Sequence, residues 1–425
     1  MGPIAVNGNR DGFVVGGRPW FYFADTVWSA FSRATLEEWT DYLDYRQAQG
    51  FNVLQISILP ILHDASGPDQ GAIPFASNSS GAWDFGTPDI RYFAKAQTMV
   101  RMASEAGFVV TLVVLWANYV QETAFAVRDP SHVMPLAAVE PYTRMVMEAF
   151  AAYNPVYCIS GDTDFGSHMT TAYYMTALNT IKSIDPTAIT TLHLQPSVRL
   201  PDEIARSSLL DFCMYQAGHR LEDHRFNYLL AEDLFKHSKR RPIVNGEPAY
   251  EGHGYGNTYG RFDAFWVRKA FWQSVLSGAK AGFAYGAHGV WSWHRKGNAF
   301  TNVEWSKTPF DWKTALRFPG AWDAAFSRWL FEVNGLFGID PRNDLLRTEY
   351  PDIRAAATGD LSAIVVYAPY SVDIPLDADL RDYECRTIVL SERNVTIPRL
   401  RRAGGATVVE MVESNSDSLV ICKRK

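Results

Sequence analysis

The sequence predicts an α/β fold, a (β/α)8 (TIM) barrel followed by a small β-sandwich, and two observations carry this prediction. Eight short apolar runs, bounded by Gly, Pro, Asp or Asn, are separated by segments with helical periodicity. After Gly335 the chain changes to brief strand-like runs separated by polar turns. Most of the eight runs are continuously apolar, which is typical of parallel strands covered on both faces. The runs begin at Trp20, Asn52, Phe108, Val156, Ala188, Leu209, Arg241 and Ala281.

Helical segments fill the intervals between the runs, as crossovers between parallel strands require. The clearest one follows the first run, where Thr35 and Glu38 form a capping box and Gly50 stands where a helix would stop. An open doubly wound sheet is disfavoured because no glycine-rich dinucleotide fingerprint follows any run. The other predicted helices are 90–106, 139–153, 171–183, 226–238 and 262–277, with a short one in PDEIARS after the fifth run.

Three segments make up the predicted domain organisation. Residues 1–19 are expected to form a hairpin that turns near Gly16 and Gly17 and either plugs the barrel floor or joins the satellite sheet. Residues 20–335 form the predicted barrel, and residues 336–425 the predicted β-sandwich. The long loop from His294 to Pro319, rich in Trp and Phe, is a candidate roof over the site.

Charge and composition exclude several classes of protein. The net charge is −6, without an extended basic run, so nucleic acid is not the expected partner. No window approaches 18 uninterrupted apolar residues and the first residues lack the pattern of a signal peptide, so we expect no membrane partner and a cytoplasmic location. The sequence indicates no oligomeric state.

The cysteines give no indication of a metal site. They are without CxxC spacing and lie in apolar runs, so buried thiols are expected in preference to disulfides or zinc ligands. Neither a metal nor a cofactor is expected. The four residues are Cys158, Cys213, Cys385 and Cys422.

Candidate ligand-binding residues follow from the barrel prediction, because reacting groups in such barrels project from the C-terminal ends of the strands. The run ends are rich in carboxylates, amides, imidazoles and aromatic rings and poor in cations, which suits a neutral polyhydroxylated ligand. Trp and Tyr faces stack on sugar rings, and the chain has 13 Trp and 20 Tyr. The candidates are Asp25, Trp28, Gln55, Trp116, Asn118, His193, Tyr215, Tyr285, His288, Trp291 and Trp293.

Two carboxylates suggest glycoside cleavage, which needs one carboxyl as acid and a second as nucleophile or base. Asp162 and Glu247 end the fourth and seventh runs, and each directly follows a glycine, where the backbone can bend to present the side chain. Asp164 competes with Asp162, and Glu251 competes with Glu247. Position at a strand end favours the first pair, and either rival would then be a substrate contact.

Some candidates have structural explanations as well. Asp25 beside a Thr is a common helix N-cap. His193 and His288 are equally explained as core imidazoles. Trp291 and Trp293 alternate on a strand-like segment, so both could face the pocket or pack against the satellite domain.

Five segments in order resemble a known family. They are YFADTVWSAFSRATLEEWTDYLDYRQAQGFNVLQ, YCISGDTDF, VNGEPAYEG, AFWQSVLSGAKAGFAYGAHGVWSW and WKTALRFPGAW. Together they are similar to the apiosidase-like glycoside hydrolase group (DUF4038, with family GH140) across about residues 4–340. The resemblance implies a retaining (β/α)8 hydrolase in which Asp162 is acid/base and Glu247 is nucleophile. Relatives tend to have Gly where this chain has Ser160.

Three functional hypotheses result. The first is a retaining hydrolase of oligosaccharides or small glycosides. The second is a sugar-binding barrel without catalysis, which the presence of both carboxyls disfavours. The third is a metal-dependent hydrolase, which would normally show HxH at strand one, where this chain has ADTVW.

Overall fold

The central feature of the computed structural model, which describes residues 2–67, 73–79 and 81–425, is an eight-stranded parallel sheet. Each of the eight predicted runs supplies one strand, so the barrel prediction is confirmed. In the sheet, strand one lies between strands two and eight, and the order continues outwards to strands five and six. Barrel strands one to eight are Tyr22–Thr26, Val53–Ser57, Val109–Trp116, Val156–Gly161, Thr190–Thr191, Cys213–Gln216, Ile243–Glu247 and Gly282–Tyr285.

The sheet closes into a barrel between strands five and six, where strand five has only two residues. The backbone N–H of Asp211 donates to the carbonyl oxygen of Thr190 at 3.0 Å. The Asp211 carboxylate in turn accepts from the Thr190 N–H and from Lys182 Nζ, both at 2.8 Å. The Asp211 side chain therefore replaces some of the backbone hydrogen bonds that regular strand pairing would make at this closure.

The outer layer consists of helices. The helix Leu36–Ala48 begins with the predicted capping box, in which Thr35 Oγ1 accepts from the Glu38 N–H and the Glu38 carboxylate accepts from the Thr35 N–H. The main helices are Leu36–Ala48, Ile90–Glu105, Leu136–Phe150, His168–Ile184, Asp202–Arg206, Phe226–His237, Ala264–Val275 and Pro319–Val333. Shorter helices are Ala30–Arg33, Ala124–Arg128, Val303–Ser306 and Trp312–Ala315.

Short turns and hairpins complete the connections. The 3-10 turns are Ala117–Tyr119, Pro130–His132, Ala151–Tyr153, Leu221–Arg225, Leu336–Gly338 and Asn343–Leu345. The hairpins pair Phe75–Ser77 with Trp83–Pro88 and Gly254–Tyr255 with Thr258–Arg261.

Successive residues of each barrel strand face opposite sides, as strand geometry requires. Tyr22, Ala24 and Met214 belong to a core inside the barrel, whereas Phe23 and Tyr285 belong to the core between strands and helices. This alternation decides which residue at a strand end can reach the site.

An N-terminal sheet closes the floor of the barrel. Its strands are Ile4–Val6, Phe13–Val15 and Arg18–Trp20. Gly16 and Gly17 form the predicted turn, both with positive φ (57° and 76°), as a tight hairpin turn requires. Ile4, Phe13 and Trp20 pack in one cluster with the residues inside the barrel. Of the two expected places for this segment, the packing is with the barrel floor.

The C-terminal region consists of two antiparallel sheets that share one apolar core. The six-stranded sheet contains Asp340–Pro341, Arg354–Ala357, Ala363–Ala368, Tyr383–Val389, Asn394–Thr396 and Ser418–Arg424. The three-stranded sheet contains Ile374–Leu376, Leu400–Ala403 and Ala406–Val409.

A disulfide between Cys385 and Cys422 corrects the expectation of four thiols. The two residues face each other on paired antiparallel strands, with Cα atoms 4.1 Å apart, a proximity that spacing in the sequence does not show. Cys158 and Cys213 are buried free thiols, as predicted. No helix in the described part of the chain is long and apolar enough to cross a membrane.

Buried ion pairs join the barrel to this C-terminal region. Arg268, on the helix Ala264–Val275, donates to Asp417 and to Asp323, with shortest distances of 2.8 Å and 2.6 Å. Lys269 on the same helix pairs with Asp352 at 2.7 Å.

Candidate active site

A cavity of about 510 Å³ lies at the C-terminal ends of the barrel strands. Its volume is in the range of small-molecule sites. Its aromatic lining is Trp28, Trp116, Phe125, Tyr250, Trp291 and Trp305. Its polar lining is His63, Asp64, Arg128, Asp162, Gln195, Gln216, His219, Arg220, Glu247, His253 and Asn302. Asn302 and Trp305 come from the loop predicted to roof the site.

Asp162 and Glu247 face each other across this cavity. A carboxylate oxygen of Asp162 and one of Glu247 lie within 4.8 Å of each other. The Glu247 side chain is 6% exposed and that of Asp162 is 15% exposed. The cavity therefore holds two closely spaced carboxyls in different environments.

The glycines before the two carboxylates make room for neighbouring side chains and do not supply the expected bend. A Cβ on Gly161 would lie 2.3 Å from the Trp116 ring, and one on Gly246 would lie 2.1 Å from the Met214 side chain. The bend is at Asp162 itself, whose φ is 49°. Asp is one of the few residues that tolerate this left-handed region, which is enriched at functional sites.

Glu247 is held by a set of hydrogen-bond donors. Gln216 Nε2 donates to Glu247 Oε1 at 2.5 Å, and His219 Nε2 lies 2.8 Å from the same oxygen. His193 Nε2 lies 3.0 Å from the other oxygen. Burial opposes ionisation, but the contacts with His193 and His219 outweigh it and hold the pKa of Glu247 well below its usual range. Glu247 is therefore ionised at neutral pH.

Asp162 has a different surrounding. Its Oδ2 lies 3.6 Å from His63 Nε2, and the same nitrogen is 3.7 Å from Asp64 Oδ2. The ring of His63 stacks on Phe125 with centroids 3.7 Å apart, and its Nδ1 donates to Asn118 Oδ1 at 3.0 Å. Burial lowers the pKa of His63, but the nearby Asp64 and Asp162 outweigh burial, so the pKa of His63 is raised overall. Burial also raises the pKa of Asp64.

One group of side chains could in principle hold a metal ion. Asp162, His193 and Glu247 each offer one ligand atom, and these atoms lie within 4.8 Å of one another. A metal-binding histidine donates its second ring N–H to an acceptor. Here the second nitrogen, Nδ1 of His193, faces the N–H donor of Asp162 at 3.3 Å. The proton then belongs on Nε2, which leaves that nitrogen no lone pair for a metal.

The structure brings several predicted residues to the cavity. Trp28, Trp116, Asp162, Glu247 and Trp291 line it. Trp28 Nε1 donates at 2.7 Å to the hydroxyl of Tyr250, whose pKa is raised by burial and by the Glu247 charge. His193 contacts both carboxylates from behind, and Asn118 reaches Asp162 only through His63. Gln55 lies deeper in the barrel and donates to Tyr22.

Three predicted contacts at strand ends point out of the barrel, which corrects their assignment to the ligand site. Asp25 accepts from Tyr42 (2.6 Å) and Arg46 (2.7 Å). Tyr215 donates to the Asn227 carbonyl, and Tyr285 donates to Glu251. In each case strand alternation turns the side chain toward the helices, so the neighbouring residue is the one that faces inward.

Four further predicted contacts also lie away from the cavity. Glu251 lies outside the cavity lining, where its carboxylate accepts from the Gly320 N–H and the Tyr285 hydroxyl. Asp164 also lies outside the lining; it is exposed and accepts from the Gly166 N–H. His288 donates to the Lys307 carbonyl at 2.8 Å. Trp293 has a positive φ of 49°, stacks on Trp312 and donates to Glu38. Residues 288–293 form turns, so the alternation expected for Trp291 and Trp293 fails.

Sequence reasoning missed several residues of the site that come from loops beyond the strand ends. They are His63, Asp64, Phe125, Arg128, His219, Arg220, Tyr250, His253, Asn302 and Trp305. Gln216 was passed over for its neighbour Tyr215. A signal was present for Gln216, which is the last polar residue of its strand, and for Asn302 and Trp305, which lie in the loop predicted to roof the site.

Solved structures show the same architecture. A glycoside hydrolase superposes with a TM-score of 0.81 at 17% identity, covering 100% of this chain and 97% of its own. A glycoside hydrolase family 5 protein from Bacteroides vulgatus superposes with a TM-score of 0.82 at 18% identity, covering 100% of this chain and 93% of its own. At such identities the likeness establishes the fold. Among curated protein sequences, none matches this chain.

The barrel carries a cavity with two facing carboxylates, and its sequence matches a glycoside hydrolase family. The family follows from the sequence of the barrel: the model of the apiosidase-like catalytic domain matches residues 13–337. The chain belongs to this apiosidase-like family.

Proposed function

We propose that this protein is a retaining glycoside hydrolase in which Glu247 is the nucleophile and Asp162 the acid/base. The observation that carries the proposal is the closeness of the two side chains, with one oxygen of Asp162 within 4.8 Å of one oxygen of Glu247. Retaining enzymes hold the two carboxyls about 5–5.5 Å apart, whereas inverting enzymes need about 6.5–9.5 Å to admit a water.

The environments support the division of roles. Glu247 is the more buried carboxylate and is kept ionised by its donors, as a nucleophile must be. Asp162 is the more exposed carboxyl, and it stands beside His63. In the first step Asp162 protonates the leaving oxygen while Glu247 attacks the anomeric carbon. In the second step Asp162 takes a proton from water, and this water releases the sugar from Glu247.

A carbohydrate with exposed apolar ring faces is the proposed substrate. Trp28, Trp116 and Trp291 supply aromatic surface on which such rings stack, and Gln195, Asn302 and other polar groups supply hydrogen bonds. An oligosaccharide or a small glycoside fits a cavity of this size.

Substitution of Glu247 tests the proposal. We expect Glu247→Gln to lower kcat at least about a thousand-fold, because it removes the nucleophile with little change of shape. Sugar binding, measured by calorimetry, should survive. Glu251→Gln is the matched control and should retain turnover, because Glu251 lies outside the cavity. The substrates are a panel of aryl glycosides and oligosaccharides, and proton NMR reads the configuration of the first product.

Contrary outcomes are distinct. Turnover by Glu247→Gln comparable with the unchanged protein would reject the nucleophile, and a product of inverted configuration would reject the retaining mechanism. Sugar binding without turnover across the panel would replace the proposal with the sugar-binding barrel.

Metal-dependent hydrolysis is the alternative for which the site offers an observation, the group of Asp162, His193 and Glu247. The proton on His193 Nε2 argues against it. We therefore expect activity to survive dialysis against a chelator. Loss of activity that added zinc restores would establish the metal instead.

A further inference from the structure

The side chain of His193 lies between the two proposed catalytic carboxylates and is fully buried. Its Nδ1 lies 3.3 Å from the backbone nitrogen of Asp162, in hydrogen-bond geometry. Its Nε2 lies 3.0 Å from Glu247 Oε2. The N–H on Nε2 is not well aligned with this oxygen, yet neither atom has another hydrogen-bond partner among the described residues. One ring thus touches the backbone of one carboxylate residue and the side chain of the other.

Two tryptophans hold the ring of His193, and Ser160 holds its backbone. Trp28 and Trp116 pack against it, with centroids 5.4 Å and 5.9 Å from that of the imidazole. The hydroxyl of Ser160 donates to the His193 carbonyl at 2.8 Å and accepts from the His193 N–H at 3.1 Å. Ser160 therefore fastens His193, two residues after strand five, to the end of strand four, two residues before Asp162.

The contacts also fix the tautomer. A backbone N–H can only donate, so Nδ1 of His193 must be the acceptor and the ring proton belongs on Nε2. Nδ1 is 3.8 Å from Asp162 Oδ1, too far for a hydrogen bond with that oxygen. Burial lowers the pKa of His193, but contact with Glu247 outweighs burial and leaves the pKa above its usual value. A second proton on Nδ1 would nevertheless point at the Asp162 N–H, which is itself a donor. A neutral ring with its proton on Nε2 matches both the Asp162 N–H and the Glu247 carboxylate.

We infer that His193 is a positioning residue for both carboxylates. Its Nδ1 accepts from the Asp162 N–H and stabilises the left-handed backbone that turns Asp162 into the cavity. Its Nε2–H faces Glu247 and stabilises that carboxylate in the charged form. The inference rests on the proposed function for its catalytic meaning, but the contacts can be tested without a substrate.

Two variants separate the two contacts. In His193→Asn the amide oxygen can occupy the position of Nδ1, so the contact with Asp162 is kept and that with Glu247 is lost. In His193→Gln the longer amide can occupy the position of Nε2, so the contact with Glu247 is kept. His237→Gln, an exposed histidine at the end of an outer helix, is the matched control.

We expect kcat/KM of His193→Asn to fall about 100-fold, the cost of a reacting group displaced by about 1 Å. The acidic limb of its pH profile should move to higher pH, because Glu247 loses a donor that holds its pKa down. His193→Gln should lose activity because the contact with the Asp162 N–H is lost, but the acidic limb of its pH profile should stay in place. His237→Gln should change neither kcat/KM nor the pH profile. Equal losses in both His193 variants with unmoved limbs would reduce His193 to a packing residue and overturn the inference.

The tautomer is measured on the whole protein labelled with nitrogen-15 in histidine. Long-range proton–nitrogen spectra at neutral pH should show His193, identified by its absence in His193→Gln, with a protonated Nε2 and an unprotonated Nδ1. A proton on Nδ1 would refute the inference whether or not any glycoside is cleaved. Absence of turnover with the expected tautomer would count against the proposed function alone.

Discussion

At the scale of single residues, the ion pair of Asp25 and Arg46 is completely buried in the barrel layer. Both side chains are 0% exposed, and Arg46 also donates to Gln49 and to the Leu316 carbonyl. A charge left alone in such a place cannot be solvated. The pair therefore matters to stability through what its disruption would leave behind.

We expect Asp25→Ala to lower the free energy of unfolding by about 3–5 kcal/mol, because Arg46 would remain buried and unpaired. Urea denaturation measures this. The control is Asp44→Ala, on the exposed face of the helix Leu36–Ala48 that carries Arg46. It should change the free energy of unfolding by less than about 0.5 kcal/mol. Equal effects of the two variants would show that Arg46 finds water or another partner.

Residues also show where prediction from the sequence stops. Strand ends identified Asp162, Glu247 and three of the tryptophans in the cavity, because position along a strand is readable from apolar runs. Which of two adjacent residues faces inward is not readable when the run is apolar on both faces. Asp25 was chosen beside the inward Thr26, and Tyr215 beside the inward Gln216, for this reason.

At the scale of elements, Glu251 ties the loop after strand seven to the first turn of the helix Pro319–Val333. Its carboxylate accepts from the Gly320 N–H at 3.0 Å and from the Tyr285 hydroxyl at 2.6 Å. Burial is the main cause that raises the pKa of Glu251 to about 7, from an ordinary value of 4.5. Such a carboxyl keeps its proton in the folded protein at pH values where the unfolded chain has lost it.

The sign of the pH dependence follows. Stabilisation from protonated Glu251 is complete below pH 4.5 and is lost as pH rises toward 7, about 3 kcal/mol at 1.36 kcal/mol per unit. Glu251→Gln cannot lose a proton, so it should gain stability relative to the unchanged protein across this window. Denaturation midpoints at several pH values measure the difference, with exposed Glu413→Gln as control. Parallel curves for both variants would contradict the raised pKa.

Loops set the second limit of prediction. His63, His219 and Tyr250 reach the carboxylates from segments beyond the strands, and a loop has no periodicity from which a direction can be predicted. The helices, by contrast, were predicted within a few residues, because capping and periodicity are local.

At the scale of the whole molecule, ion pairs make the barrel and the C-terminal sheets one unit. The guanidinium of Arg268 is shared by Asp323 of the barrel layer and Asp417, the residue before the last strand. Each of the three side chains is nearly buried. Such a link resists separation of the two parts because separation removes Asp417 from the Arg268 guanidinium, which stays with the barrel.

We expect Arg268→Ala to cost about 3–5 kcal/mol and to split a single calorimetric transition into two, as the sheets unfold apart from the barrel. Arg206→Ala, which breaks an exposed pair with Asp202, should leave one transition. A single unshifted transition in Arg268→Ala would mean that apolar packing alone joins the two parts.

The closure of the barrel at Asp211 has a consequence for the chemistry. Strands four and seven, which carry Asp162 and Glu247, stand on either side of strands five and six, so the gap between the two carboxylates spans the closure. The width of that gap separates one stereochemical outcome from the other. Asp211, which is outside the cavity lining, fastens the two strands that lie between the carboxylates. Loosening this fastening would change the distance between the Asp162 and Glu247 carboxylates, although every side chain that lines the cavity would still be present.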